Sequence, residues 1–262
     1  MQLLVSVRNA HEAQLALTGG ADVVDAKEPL AGALGPVSLP TFQAIVATVA
    51  SRCPVSAALG DVGDERDAER IALAFAGAGA AFVKTGFAGI ASEASARALM
   101  TAAVTGASAG GAALVAVAYA DCEFVSALPA ETILDAAVRA GARGVLLDTV
   151  RKDGPPVLEL LSQQRLAAWV DRARSAGLFT AIAGRLRPED LPTVLAIGAD
   201  LVGVRGAACD GGRSGRVSAE RVRGLRAALR GRTHHILPTA DLAAASGRMS
   251  DRAESGRSRR QI

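Results

Sequence analysis

Lysine is nearly missing from this chain of 262 residues. Of its 29 basic side chains only Lys27, Lys84 and Lys152 are lysines, and every other one is arginine. Aromatic residues are scarce too, at 3%. That argues against nucleic-acid recognition by base stacking and leaves the core to Ala, Val, Leu and Ile. Histidine occurs only at His11, His234 and His235, so no His-dependent triad or zinc site can be assembled across several strands. The three cysteines, Cys53, Cys122 and Cys209, are widely separated and odd in number. They imply neither a disulfide framework nor a metal site. No stretch approaches the roughly 20 apolar residues of a membrane span. The start, MQLLVSVRNAHEA, has too short an apolar run and no basic leader for a signal peptide. The expectation is a reduced, cytoplasmic protein with no membrane or nucleic-acid partner.

What is present is aliphatic and periodic. Half of the chain is hydrophobic. Short β-branched runs (LLVSV, VVDAK, VSAALGD, AFVKT, LVAVAYAD, GVLLDT, FTAIAG and LVGVRG) alternate with Ala/Leu/Arg segments of helical period. Gly-Ala recurs after a helix and just ahead of a strand in GGADVVD, GAGAAFVK, RAGARGVLLD and IGADLVGVR. Glycine suits the left-handed residue that ends a helix. Eight such units predict an α/β fold, a single-domain (β/α)8 TIM barrel over residues 1–232. A doubly wound open sheet would carry a glycine-rich loop after its first strand, and Val7-Arg8-Asn9-Ala10 is not one. From Thr233 the pattern stops, predicting a flexible Arg/Ser-rich tail over 233–262. The net charge of +3 belongs to that tail: Arg248–Ile262 holds five arginines against Asp251 and Glu254, and the remainder is neutral.

In such a barrel the chemistry sits at the C-terminal ends of the strands. That edge brings together Asp25, Lys27, Asp61, Lys84, Asp148 and Lys152, so all three lysines fall at one rim. Residues i and i+2 of a strand share a side, which pairs Asp25 with Lys27. A lysine can lose its proton, attack a carbonyl and form an imine, whereas arginine cannot. Neighbouring cations and partial desolvation push an amine toward that reactive form, and carboxylates shuttle protons. Structural ion pairs closing the barrel top are the bland alternative. Strands seven and eight end in AIAGRLR and VGVRGAACDGG. There Gly184, Gly203 and Gly206 allow close backbone approach to a phosphate, with Arg185 or Arg205 adding charge. No cofactor motif is visible. Carboxylates at the rim could hold Mg²⁺, with the lysines competing. The chemistry expected is amine–carboxylate catalysis on a phosphorylated carbonyl compound.

The ordered set LLVSV, GGADVVDAKEPLAGALG, Gly60-Asp61-Val62, FVKTG, LLDTVRKDG and DLVGVRGAAC resembles the (5-formylfuran-3-yl)methyl phosphate synthase family. The family is also called 4-(hydroxymethyl)-2-furancarboxaldehyde-phosphate synthase. The resemblance covers about residues 1 to 230. It implies condensation of two glyceraldehyde 3-phosphate molecules with loss of phosphate and water, toward methanofuran or a related one-carbon carrier. It implies that Lys27 forms the Schiff base, that Lys84 is the proton acceptor, and that Asp148 and Lys152 are further active-site positions. No cofactor and no metal are expected. Two readings stand beside it. One is a Schiff-base aldolase or transaldolase acting on other sugar phosphates; the other is a non-catalytic sugar-phosphate sensor with the tail as effector arm. A homo-oligomer through outer helices fits either.

Overall fold

The computed structural model describes residues 1–229; the tail expected over 233–262 lies outside the described residues. Strands β1 (Gln2–Val7), β2 (Val23–Ala26), β3 (Val55–Asp61), β4 (Phe82–Gly86), β5 (Ala113–Tyr119), β6 (Gly144–Asp148), β7 (Phe179–Ile182) and β8 (Leu201–Val204) pair in chain order. All pairings are parallel, and β8 returns to β1 with Leu4 opposite Gly203. The (β/α)8 barrel is therefore closed. Outside it lie α1 (Ala10–Gly19), α2 (Leu39–Val49), α3 (Glu65–Gly77), α4 (Glu93–Ala109) and α5 (Ala130–Ala140). They are followed by α6 (Val157–Leu160), α7 (Gln163–Ser175), α8 (Leu191–Ile197) and α9 (Ala219–Ala228). Among the described residues no helix is long and apolar enough to cross a membrane.

Local chemistry sets the helix ends. Asn9, Ser38, Asp64, Ser92, Ser162 and Ser218 each accept a backbone N–H of the first turn. Each such cap contributes about 1 kcal/mol. The Gly-Ala pattern ends helices as expected. Gly141 sits at φ +79°, and the following Ala142 N–H reaches back to Ala137 O, a Schellman closure that turns the chain straight into β6.

The main core is the layer between sheet and helices, where Phe42, Ile45, Met100, Ile133, Leu134 and Leu166 are buried. A second cluster plugs the lumen itself: Leu4, Val23, Ala58, Phe82, Val115, Val117, Leu146, Ala181 and Leu201. The Phe82 and Phe179 rings meet edge-on at 5.2 Å, and Gly144 leaves the room that Phe179 fills. With an apolar floor below, polar inward positions are confined to the mouth. One element went unforeseen: the strand-eight loop carries a small antiparallel hairpin, β9 (Cys209–Asp210) and β10 (Arg216–Val217), before α9.

Candidate active site

Strand alternation delivers the charged side chains to one cavity. Asp25 and Lys27 project inward from the end of β2, Lys84 from β4 and Asp148 from β6, while Lys152 curls back from the following loop. All five line a cavity of about 360 Å³, together with Ser6, Gly184, Arg185, Gly203, Arg205, Gly206 and Arg213. Asp25 is fully buried. Its Oδ1 accepts Ser56 Oγ at 2.7 Å and faces Lys84 Nζ at 2.5 Å, and its Oδ2 accepts Ser6 Oγ at 2.8 Å. Burial alone would raise its pKa. Lys84 and Lys27, with the hydrogen bonds from Lys84 and Ser56, overcome that and hold it below the usual carboxylate value.

Asp148 is bound on one side only. Its Oδ1 accepts Lys152 Nζ at 2.8 Å and the Thr149 N–H at 2.8 Å, and Lys152 also donates to Thr149 O. Its Oδ2 is buried with no hydrogen-bond partner among the described residues, 3.9 Å from Lys27 Nζ. Burial opposes ionisation here too, but Lys152, Lys27 and the two hydrogen bonds bring the pKa down to about 2. Lys27 Nζ has no hydrogen-bond acceptor among the described residues and is almost fully buried. Burial is the largest cause lowering its pKa from 10.5 to about 8; Lys152 and Lys84 add to it, and Asp148 and Asp25 work against it. The amine is thus enclosed, underbonded and close to losing its proton at neutral pH.

Two expected site residues have other work. Asp61 is not among the residues lining that cavity. The inward positions of β3 begin with Ser56 and Ala58, and the β3–β4 register then shifts so that Asp61, not Gly60, lies level with Gly86. Its Oδ1 accepts Tyr119 Oη at 2.8 Å and the Ala88 N–H at 3.0 Å, filling the space that a Cβ at Gly86 would need. Arg205 lines the cavity but has no donor to spare. Its five N–H groups go to Arg213 O, Ser6 O, Gly215 O and both oxygens of buried Glu12. It is a strut rather than the free phosphate ligand expected.

Gly184 lines the cavity with φ +103°, and a Cβ there would press on Thr149 and Val157 at 3.0 Å, so the turn itself requires glycine. The backbone N–H groups of Gly184, Arg185, Gly206 and Ala207 have no backbone acceptor among the described residues. They line the same cavity as Arg185, an exposed side chain that forms no ion pair among the described residues. Four contributors stand outside the expected set of site residues. Ser6 and Ser56 flank Asp25. Asp121 accepts the Val150 and Arg151 N–H groups at 2.7 and 2.9 Å, fixing the loop that carries Lys152. Tyr119 is the chain's one tyrosine; burial, then Asp61, push its pKa up. Among the described residues no group of three or more His, Cys, Asp or Glu side chains is placed to hold a metal ion.

Fold and site together define a (β/α)8-barrel protein with a buried lysine–carboxylate centre at the mouth. Solved barrels share the fold. 3-Hexulose-6-phosphate synthase superposes with a TM-score of 0.60 at 20% identity, covering 87% of this chain and 100% of that one. Phosphoribosyl anthranilate isomerase from Thermus thermophilus gives 0.58 at 16%, covering 87% and 98%. The chain belongs to the 4-HFC-P synthase family, whose model matches residues 3–226. It is 38% identical over 229 residues to the (5-formylfuran-3-yl)methyl phosphate synthase of Methanosarcina mazei, covering 86% of this chain and 97% of that protein. The enzyme of the same name from Methanocaldococcus jannaschii is 38% identical over 233 residues, covering 86% and 98%.

Proposed function

We propose that this chain condenses two glyceraldehyde 3-phosphate molecules into (5-formylfuran-3-yl)methyl phosphate through an imine at Lys27. It acts as a carbon–oxygen lyase in the cytoplasm, toward methanofuran or a related one-carbon carrier. The observation that carries this reading is the state of Lys27: buried, without a hydrogen-bond acceptor, its pKa about 8. At pH 7 about a tenth of such amines are neutral, against fewer than about one in a thousand at the ordinary lysine value.

The first triose phosphate forms the imine and releases water. Removal of its C2 proton gives an enamine, whose electron pair expels phosphate by breaking the C3–O bond. The enol left behind is nucleophilic at its terminal carbon and adds to the second triose. The furan skeleton requires that addition to occur at the central carbon of the second triose, so this molecule reacts as its ketose isomer. Ring closure through its free hydroxyl, loss of two waters, and hydrolysis of the imine complete the turnover. The balance is two triose phosphates in; one furan aldehyde phosphate, one phosphate and two waters out.

Three protons leave carbon over the turnover, from C2 and C3 of the first triose and from the hydroxymethyl carbon of the second. One more shifts from C2 to C1 as the second triose becomes its ketose isomer. Two amine–carboxylate pairs flank Lys27 to move them. Lys84 with Asp25 serves one side. Asp148, through its open Oδ2, serves the other, with Lys152 holding its second oxygen. The N–H groups around Gly184 and Gly206 receive a substrate phosphate. Incubation with glyceraldehyde 3-phosphate should produce a near-UV furan chromophore, and borohydride should trap substrate on the peptide containing Lys27. Full turnover by a Lys27→Arg variant would refute the imine.

A further inference from the structure

The hairpin after β8 contains a built arrangement that this chemistry leaves unused. Buried Glu12 on α1 binds Arg8 and Arg205. Those two arginines hold three successive carbonyls: Arg205 those of Arg213 and Gly215, and Arg8 that of Ser214. The backbone of Arg213 is thereby fixed at the cavity wall, against Gly206. Its side chain reaches across to the loop that follows Lys27, where Nη2 donates to Pro29 O at 3.1 Å and Gly32 O at 2.7 Å. Its Nε and Nη1 have no acceptor among the described residues, although the residue lines the same cavity as Lys27, Asp148 and Lys152. A partly desolvated guanidinium with one edge satisfied and the other open is suited to an anion, because its planar fork matches phosphate oxygens in pairs.

Two triose phosphates bring two phosphates into one cavity, and the N–H groups of the β7 and β8 loops account for one of them. We infer that Arg213 is the ligand of the second phosphate, so that one side chain both clamps the loop carrying Lys27 and positions the second triose phosphate. This rests on the two-substrate condensation proposed above. An arginine that only staples the loop would act on both substrates alike, since displacing residues 28–35 disturbs Lys27 itself.

The test separates the two substrates in Arg213→Met and Arg213→Lys variants, with glyceraldehyde 3-phosphate as the probe. Borohydride trapping reads the first substrate, and furan absorbance reads the condensation. Both variants should still yield the Lys27 adduct at substrate concentrations that saturate the parent, with no more than about a threefold loss from the missing loop contacts. The concentration needed for half-maximal furan formation should rise at least tenfold in Arg213→Met, and less in Arg213→Lys. Trapping and furan formation falling in parallel, or neither changing, overturns the assignment. No adduct in the parent chain overturns the imine reading instead.

Discussion

The two aspartates of the mouth are surrounded differently. Asp25 is held through both oxygens, with Ser6, Ser56 and Lys84 all within hydrogen-bonding distance of a fully buried carboxylate. Asp148 is equally buried, yet one of its oxygens is held by Lys152 and Thr149 while the other points unpartnered toward Lys27. A carboxylate held through both oxygens has its charge and geometry fixed. A half-saturated one is oriented on one side and reactive on the other. The Asp25 corner therefore fixes Lys84 firmly in place, whereas the Asp148 corner leaves one carboxylate oxygen open toward Lys27.

The sharpest break of that contrast comes from Lys27, the proposed nucleophile between the two corners. Lys27→Arg keeps the charge but removes the imine, and turnover should fall by about a thousandfold or more with no borohydride adduct. Asp25→Asn strands the buried Lys84 amine, so denaturant unfolding should show a loss of about 3 kcal/mol. A loss under about 1 kcal/mol would mean that Asp25 does not fix Lys84. Asp148→Asn should do the reverse, lowering kcat by about a hundredfold or more with a smaller stability change.

Titration sharpens the comparison further. Only neutral Lys27 is a nucleophile, so kcat/KM should climb with pH up to about 8. Lys152 helps depress the Lys27 pKa, so Lys152→Met should move that limb to higher pH. For stability the two groups act at opposite ends of the scale. Asp148 has a folded pKa of about 2 against the 3.8 of an ordinary aspartate, so its contribution is complete above 3.8 and is lost as pH falls toward 2. Lys27 has a folded pKa of about 8 against 10.5. The folded state releases that proton first, and stability rises between those values. Unfolding curves of Lys27→Met should lack the alkaline rise. The smallest effect belongs to Tyr119→Phe, which removes one hydrogen bond to Asp61 and should cost about 1 kcal/mol by thermal or denaturant unfolding.

The sequence made the barrel legible because each strand and each Gly-Ala helix stop is a local signal. It made Lys27, Lys84, Asp148 and Lys152 legible because they are rare or charged residues at strand ends. Asp61 is taken up by Tyr119 and the Ala88 N–H rather than lining the cavity, and no pattern of residue types marks either the β3 bulge or those partners. Arg205 was misjudged because its five acceptors include Glu12, far away in the chain at a position that reads as an ordinary helix residue. Arg213 lay hidden for a related reason: glycine-rich loops have no period, so nothing local says which arginine turns inward. Ser6 and Ser56 were within reach, since both lie in strands at positions that pair with Asp25.

Because β1 completes its pairing only with β8, and Glu12 meets Arg205 across 193 positions, the ring cannot close on a growing polypeptide until its last strand has left the ribosome. Until then β1 presents a bare edge to any other nascent strand, a site for wrong pairing. The Glu12–Arg205 contact spans that seam, so it can tie the first βα unit to the last only once synthesis has passed β8.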